Sequence, residues 1–123
     1  MANDFKRFTV ASVNTSSGAS ASAVYTVPAG AGSSALESIV IGITIANKST
    51  AGITCDVFID ALGGASDDVY IVKDASIPAG SSLEVMSGNK LVLQGDGTNN
   101  DILKMTSSTA SAADGIVSVL EDV

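Results

Sequence analysis

The chain has 123 residues, of which 46% are hydrophobic and 15% charged, and its 13 acidic against 6 basic residues give a formal net charge of -7. That length suits one domain and is too short for two, and the apolar content excludes a disordered chain. The acidity opposes contact with a phosphate backbone or an anionic membrane, since the basic residues (Lys6, Arg7, Lys48, Lys73, Lys90, Lys104) form no stripe.

In chain order, the opening MANDFKRFTV puts charges where a secretory signal needs an apolar core, and Cys55 is the single cysteine. Synthesis and folding in a reducing cytoplasm are therefore expected. A first strand is predicted over Phe5 to Val13. Residues 1–9 also read as a contact segment, because Phe5, Arg7 and Phe8 concentrate aromatic and basic character in an acidic, aromatic-poor chain. The competing reading packs Phe5 or Phe8 into the domain's own core. After a low-complexity Ala-Ser run near Ser16 comes a strand over Ala23 to Val27.

From Ser38 to Asn47, Ile39, Ile41, Ile43 and Ile45 alternate with Val40, Gly42, Thr44 and Ala46, which is period two. A strand with all four isoleucines on one buried face is expected. Across the polar turn from Asn47 to Gly52, Ile53, Cys55, Val57 and Ile59 repeat the alternation. The two segments are expected to pair as an antiparallel hairpin, with Cys55 a small buried hydrophobe. The most apolar window, LESIVIGITIA, is too short to span a bilayer as a helix and contains Glu37.

Further strands are predicted over Val69 to Lys73, Leu83 to Val85, Leu91 to Gln94, Ile102 to Thr106 and Ile116 to Glu121; SSTASAADG from Ser107 is read as a loop or one helical turn. Strands roughly eight to twelve residues apart, separated by Gly, Pro, Asn or Asp, predict an all-β chain. The expected fold is a single antiparallel β-sandwich, jelly-roll or Ig-like, of about eight strands.

The phrase "apolar, Pro, Ala, Gly, Ser" occurs twice, at Val27 and at Ile77. Pro28 and Pro78 preset φ near -65° at the second position of a type I or II turn, and Gly30 and Gly80 supply the positive φ that reverses the chain. Each phrase is a corner leading into a strand. Gly95 and Asp96 open another turn. In the 96–101 loop, Asp96, Thr98, Asn100 and Asp101 offer oxygens that could surround calcium, but EF-hand spacing would need Gly and Glu where Asp101 and Ser107 stand. A structural hairpin turn is the expectation, with no metal and no cofactor.

Read in order, VPAG, a strand ending in IAN, ITCDVFID, VYIVKDASIPAGSSLEV, LVLQGDGTNNDILKMTSS and ADGIVSVLEDV resemble a family of small structural proteins of tailed bacteriophages. The shared succession is Pro28 and Gly30, Lys73 and Asp74, Pro78 and Gly80, Gly95 and Asp96, then Val117 to Glu121. Gly97 to Asn100 is an insertion-like departure from that succession. The resemblance implies a virion component: a decoration or cement protein coating the capsid, or else a neck, tail or baseplate part. Its partners would be the major capsid protein or other virion proteins, with a homo-oligomer, for instance a trimer, as one arrangement.

Catalysis is not expected. Without His, no Ser-His-Asp or Cys-His arrangement can form, and the pair Asp67 and Asp68 would point to opposite faces of a strand. No phosphate-cradling glycine motif is present. A receptor- or glycan-binding module is the rival reading, weakened by the lack of Trp and the presence of only two Tyr and three Phe to stack on a sugar.

Overall fold

The computed structural model describes residues 3–16, 20–28, 37–61, 68–86, 90–95 and 99–122. Among them run nine strands: β1 (Asn3–Val10), β2 (Ser22–Thr26), β3 (Glu37–Asn47), β4 (Ile53–Asp60), β5 (Asp68–Ile77), β6 (Ser82–Glu84), β7 (Leu91–Gln94), β8 (Ile102–Ser107) and β9 (Ala113–Asp122). Sheet A has the order β1-β9-β3-β6, with β7 also on β3, and sheet B the order β2-β8-β4-β5; every pairing is antiparallel.

Both β6 and β7 run along the same edge of β3, so they act as one interrupted strand and leave eight positions. First then pairs with last (β1 with β9), second with seventh (β2 with β8), third with sixth (β3 with β6 and β7) and fourth with fifth (β4 with β5). Rolling that ribbon sets β9 against β3 and β8 against β4, the jelly-roll form of two Greek keys. The strand order therefore selects jelly roll over the Ig-like alternative.

The core lies between the sheets. Val40, Ile43, Ile45, Leu93, Val117 and Val119 of sheet A meet Val24, Tyr25, Ile53, Cys55, Val57, Leu103 and Met105 of sheet B. Each such side chain contributes roughly 1.5–3 kcal/mol gross on burial, before ordering entropy is subtracted.

The hairpin expected of β3 and β4 does not form: the two strands lie in opposite sheets, and Asn47 to Gly52 is an arch between them. Asn47 holds that arch. Its Nδ2 donates to the carbonyls of Ala51 (2.9 Å) and Ile77 (3.0 Å), and its Oδ1 accepts from the Ser49 N–H (2.9 Å) and hydroxyl (2.7 Å). Two strands with one apolar face each bury more surface facing one another across a core than side by side.

The isoleucine comb of β3 is also broken. Val40 pairs with Val119 and Gly42 with Ser118, so Ile41 is one residue too many on β3. This β-bulge shifts the phase of the strand. Val40, Ile43 and Ile45 point into the core, whereas Ile39 and Ile41 point out. The comb of β4 survives, with Ile53, Cys55 and Val57 buried and Ile59 packed against the core.

The second corner is a tight turn from Pro78 to Ser81, closed by the Ser81 N–H on the Pro78 carbonyl at 3.1 Å. Gly80 has φ +71°, as the third residue of a type II turn requires. Pro78 occupies the first turn position, not the expected second. The corner docks on the end of β3 through Gly80 N–H to Asn47 O (3.1 Å) and Asn47 N–H to Ser81 O (2.8 Å). Pro28 follows β2, while Gly30 lies outside the described residues. The first strand ends at Val10, earlier than expected; Ser12 (φ 56°) turns the chain so that Val13 enters the core. Between β8 and β9 the chain makes a turn, with no helix.

Candidate functional site

Register places one continuous apolar row on the outer face of sheet A. Phe5 of β1 pairs with Leu120 of β9, Leu120 with Ile39 of β3, and Ile39 with Val92 of β7. Phe5 is 78% exposed and Val92 58%. Two rows further along, Thr9, Ile116, Thr44 and Glu84 align, with Ile116 42% exposed. Between these rows Ser118 faces Gly42 beside Ile41, which is 43% exposed. Of the six large exposed hydrophobics among the described residues, Phe5, Ile41, Val92 and Ile116 thus share one sheet face. Patches of this kind mark contact surfaces more often than isolated exposed residues do.

The N-terminal segment divides by strand alternation. Phe8 points inward, and its ring lies 4.7 Å from that of Tyr25. Phe5 and Arg7 point outward, and Arg7 has no carboxylate partner among the described residues. Lys6 also points inward, its Nζ 2.8 Å from Glu121 Oε1. The Tyr25 hydroxyl donates to Glu121 Oε2 at 2.6 Å and stands 2.6 Å from Ser38 Oγ, whose own proton is free to point at the phenol oxygen. This buried network ties β2 of sheet B to β1, β3 and β9 of sheet A. Burial pushes the Glu121 carboxyl up, but the hydrogen bonds from Lys6 and Tyr25 and the Lys6 charge outweigh it and hold it below its ordinary range. Burial, reinforced by Glu121, pushes the Tyr25 phenol well up.

Sheet B presents a different outer face. Phe58 alternates to the outside, yet is 0% exposed because Tyr70 covers it at 5.0 Å between ring centroids and Lys104 stands opposite it in the ladder. Lys73 Nζ lies 4.8 Å from the Tyr70 ring centre, and Lys104 pairs with Asp60 at 3.2 Å. Near one end, a hollow of about 160 Å³ is lined by Thr15, Thr54, Asp56, Asp74, Thr106, Ser107 and Ser108. Two of its polar side chains hold the sheet: Asp56 Oδ1 accepts the Asp74 N–H at 2.7 Å, and Thr106 Oγ1 donates to the Asn14 carbonyl at 3.1 Å. Asp74, in the Lys73-Asp74 step, has φ 53° at a bulge of β5.

Gly95 and Asn100 form an isolated antiparallel bridge, while Asp96, like Asp67, lies outside the described residues. Asp101 Oδ2 accepts the Gln94 N–H at 2.9 Å and its own N–H donates to the Gln94 carbonyl at 3.0 Å, which makes it a turn closer. Cys55 is buried opposite Ser107, and burial pushes its thiol up, away from the reactive thiolate. Among the described residues no group of three or more Cys, Asp or Glu could hold a metal ion, and no helix is long and apolar enough to cross a membrane.

Sequence reasoning singled out Phe5 and Arg7 but not Ile39, Ile41, Val92, Ile116 and Leu120, which share their sheet face. A signal existed: Ile116-Val117-Ser118-Val119-Leu120 is apolar on both faces of one strand, as is Ile39-Val40-Ile41. One sheet of a two-layer sandwich can bury only one face against the other. The chain matches no protein-family model, no curated protein and no solved structure.

Proposed function

We propose that this chain is a non-enzymatic structural subunit of a tailed-phage virion that works by protein-protein contact, coating or cementing the capsid exterior. The observation that carries the assembly role is the apolar row on the outer face of sheet A, in register across four strands, with Phe5 and Val92 exposed at its ends and Leu120 and Ile39 half-buried between them. The virion setting rests on the ordered resemblance of the turn phrases. Purified particles lacking the chain, mixed with the added protein, test the reading. The wild-type chain is expected to cosediment with heads, and Phe5→Ser with Val92→Ser to sediment free while keeping its fold. Cosedimentation with isolated tails instead would move the protein to the neck or tail, and no binding to any particle would overturn the reading.

A further inference from the structure

Gly42 borders the bulge of β3, and no contact inside the monomer demands that it lack a side chain. It pairs with Ser118 of β9 on one side and on the other lies opposite the gap between β7, which reaches Val40, and β6, which starts at Thr44. Its φ is not in the left-handed region, and a Cβ built on it would meet nothing within 4 Å. An alanine could stand there without a clash. What the missing side chain does create is a dip at the centre of the outer face of sheet A, with Ser118 beside it and Ile39, Ile41, Ile116 and Leu120 around it. Glycine at such a place lets another backbone approach.

We infer that a second copy of this chain packs on that face, across a two-fold axis running along the strands between β9 and β3. The inference rests on the assembly role proposed above and names the partner at its contact face. Such an axis exchanges β1 with the β6 and β7 position, and β9 with β3. Phe5 of one copy then meets Val92 of the other, Leu120 meets Ile39, and Ser118 meets Gly42, so the apolar row is complementary to itself. Charge agrees. Thr9 falls opposite Glu84, and Arg7, one outward position along β1, is within side-chain reach of that carboxylate. Glu84 Oε1 is held by Thr44 at 3.1 Å, which fixes the acceptor.

A chain of net charge -7 repels its own copy unless the touching faces are nearly neutral. Among the described residues, this face carries Arg7, Glu37, Glu84 and the ion pair of Lys48 with Asp114 at 2.8 Å. The strands of sheet B carry Asp56, Asp60, Asp68 and Asp74, of which Asp56 pairs with Lys73 and Asp60 with Lys104. Four strands at about 4.8 Å spacing and eight residues at about 3.4 Å rise give a face of roughly 500 Å². Two such faces cover on the order of 1,000 Å², the lower end of specific interfaces, so a reversible dimer is expected.

Sedimentation of the full chain from micromolar to millimolar concentration tests this. A concentration-dependent dimer is expected. Gly42→Val should weaken it at least tenfold without lowering the thermal midpoint, because the new side chain enters open space in the monomer. Arg7→Glu and Glu84→Arg should each weaken it several-fold, and the two together should restore it, an outcome that loss of folding cannot mimic. A monomer at every concentration overturns the inference. If that monomer still binds particles and loses binding on Phe5→Ser with Val92→Ser, the face belongs to a different partner and the assembly role stands. If it binds no particle, both readings fall.

Discussion

The strands β3 and β4 carry the same comb of apolar residues at period two, six residues apart in the chain, and they use it differently. In β4 every tooth points into the core. In β3 one extra residue, Ile41, turns the first two isoleucines to the outside and leaves the last two inside. A bulge therefore uncouples sequence period from sheet face. Its consequence reaches beyond one strand, because Ile39 joins Phe5, Leu120 and Val92 in a row on the outer face of sheet A.

The sharpest way to break this comparison is to place a charge on each tooth. Ile43→Asp should cost about 4 kcal/mol or more in urea unfolding, since it buries an unpaired carboxylate. Ile41→Asp, two positions earlier, should cost less than about 1 kcal/mol in dilute monomer. Equal costs would mean that the comb is unbroken.

A second contrast sets the two outer faces against each other. Phe58 on sheet B is fully covered and Phe5 on sheet A is not. Phe58→Ala should destabilise by about 3 kcal/mol, and Phe5→Ala should lie within about 0.5 kcal/mol of wild type. Similar values would show that the outer faces do not differ.

The third prediction concerns the network that ties the sheets together. Glu121 binds its proton less readily in the folded chain than in the unfolded one, whose carboxyl has the ordinary value of 4.5. Its contribution is present above pH 4.5, and is lost as the pH falls below that value through the lower folded one. The thermal midpoint should therefore decline over that acid range, and Glu121→Gln should flatten the decline while lowering stability at neutral pH. An unchanged slope in the variant would remove Glu121 from the acid response.

The smallest expected effect compares two glycines. Gly80→Ala should cost about 1 kcal/mol for its left-handed backbone alone, as no atom lies within 4 Å of the added carbon. Gly42→Ala should be neutral or slightly stabilising in the monomer. A loss at Gly42 matching that at Gly80 would assign Gly42 a backbone role.

Alternation, turn residues and the scarcity of charge were enough to place all nine strands within a few residues, because these signals are local and a strand's period is written in its own side chains. The φ of Gly80 and the burial of Cys55 follow from the same local logic. Which strand lies beside which was decided only by the tertiary structure. The polar segment from Asn47 to Gly52 would serve a hairpin as well as an arch, and the arch forms because Asn47 finds the Ile77 carbonyl of a distant strand. The bulge at Ile41 was equally hidden, for it depends on the register imposed by β9 from more than seventy residues away. Phe5 and Phe8 looked alike in the chain; pairing with β9 sent one toward Tyr25 and the other into solvent, because neighbouring residues of a strand face opposite sides of its sheet.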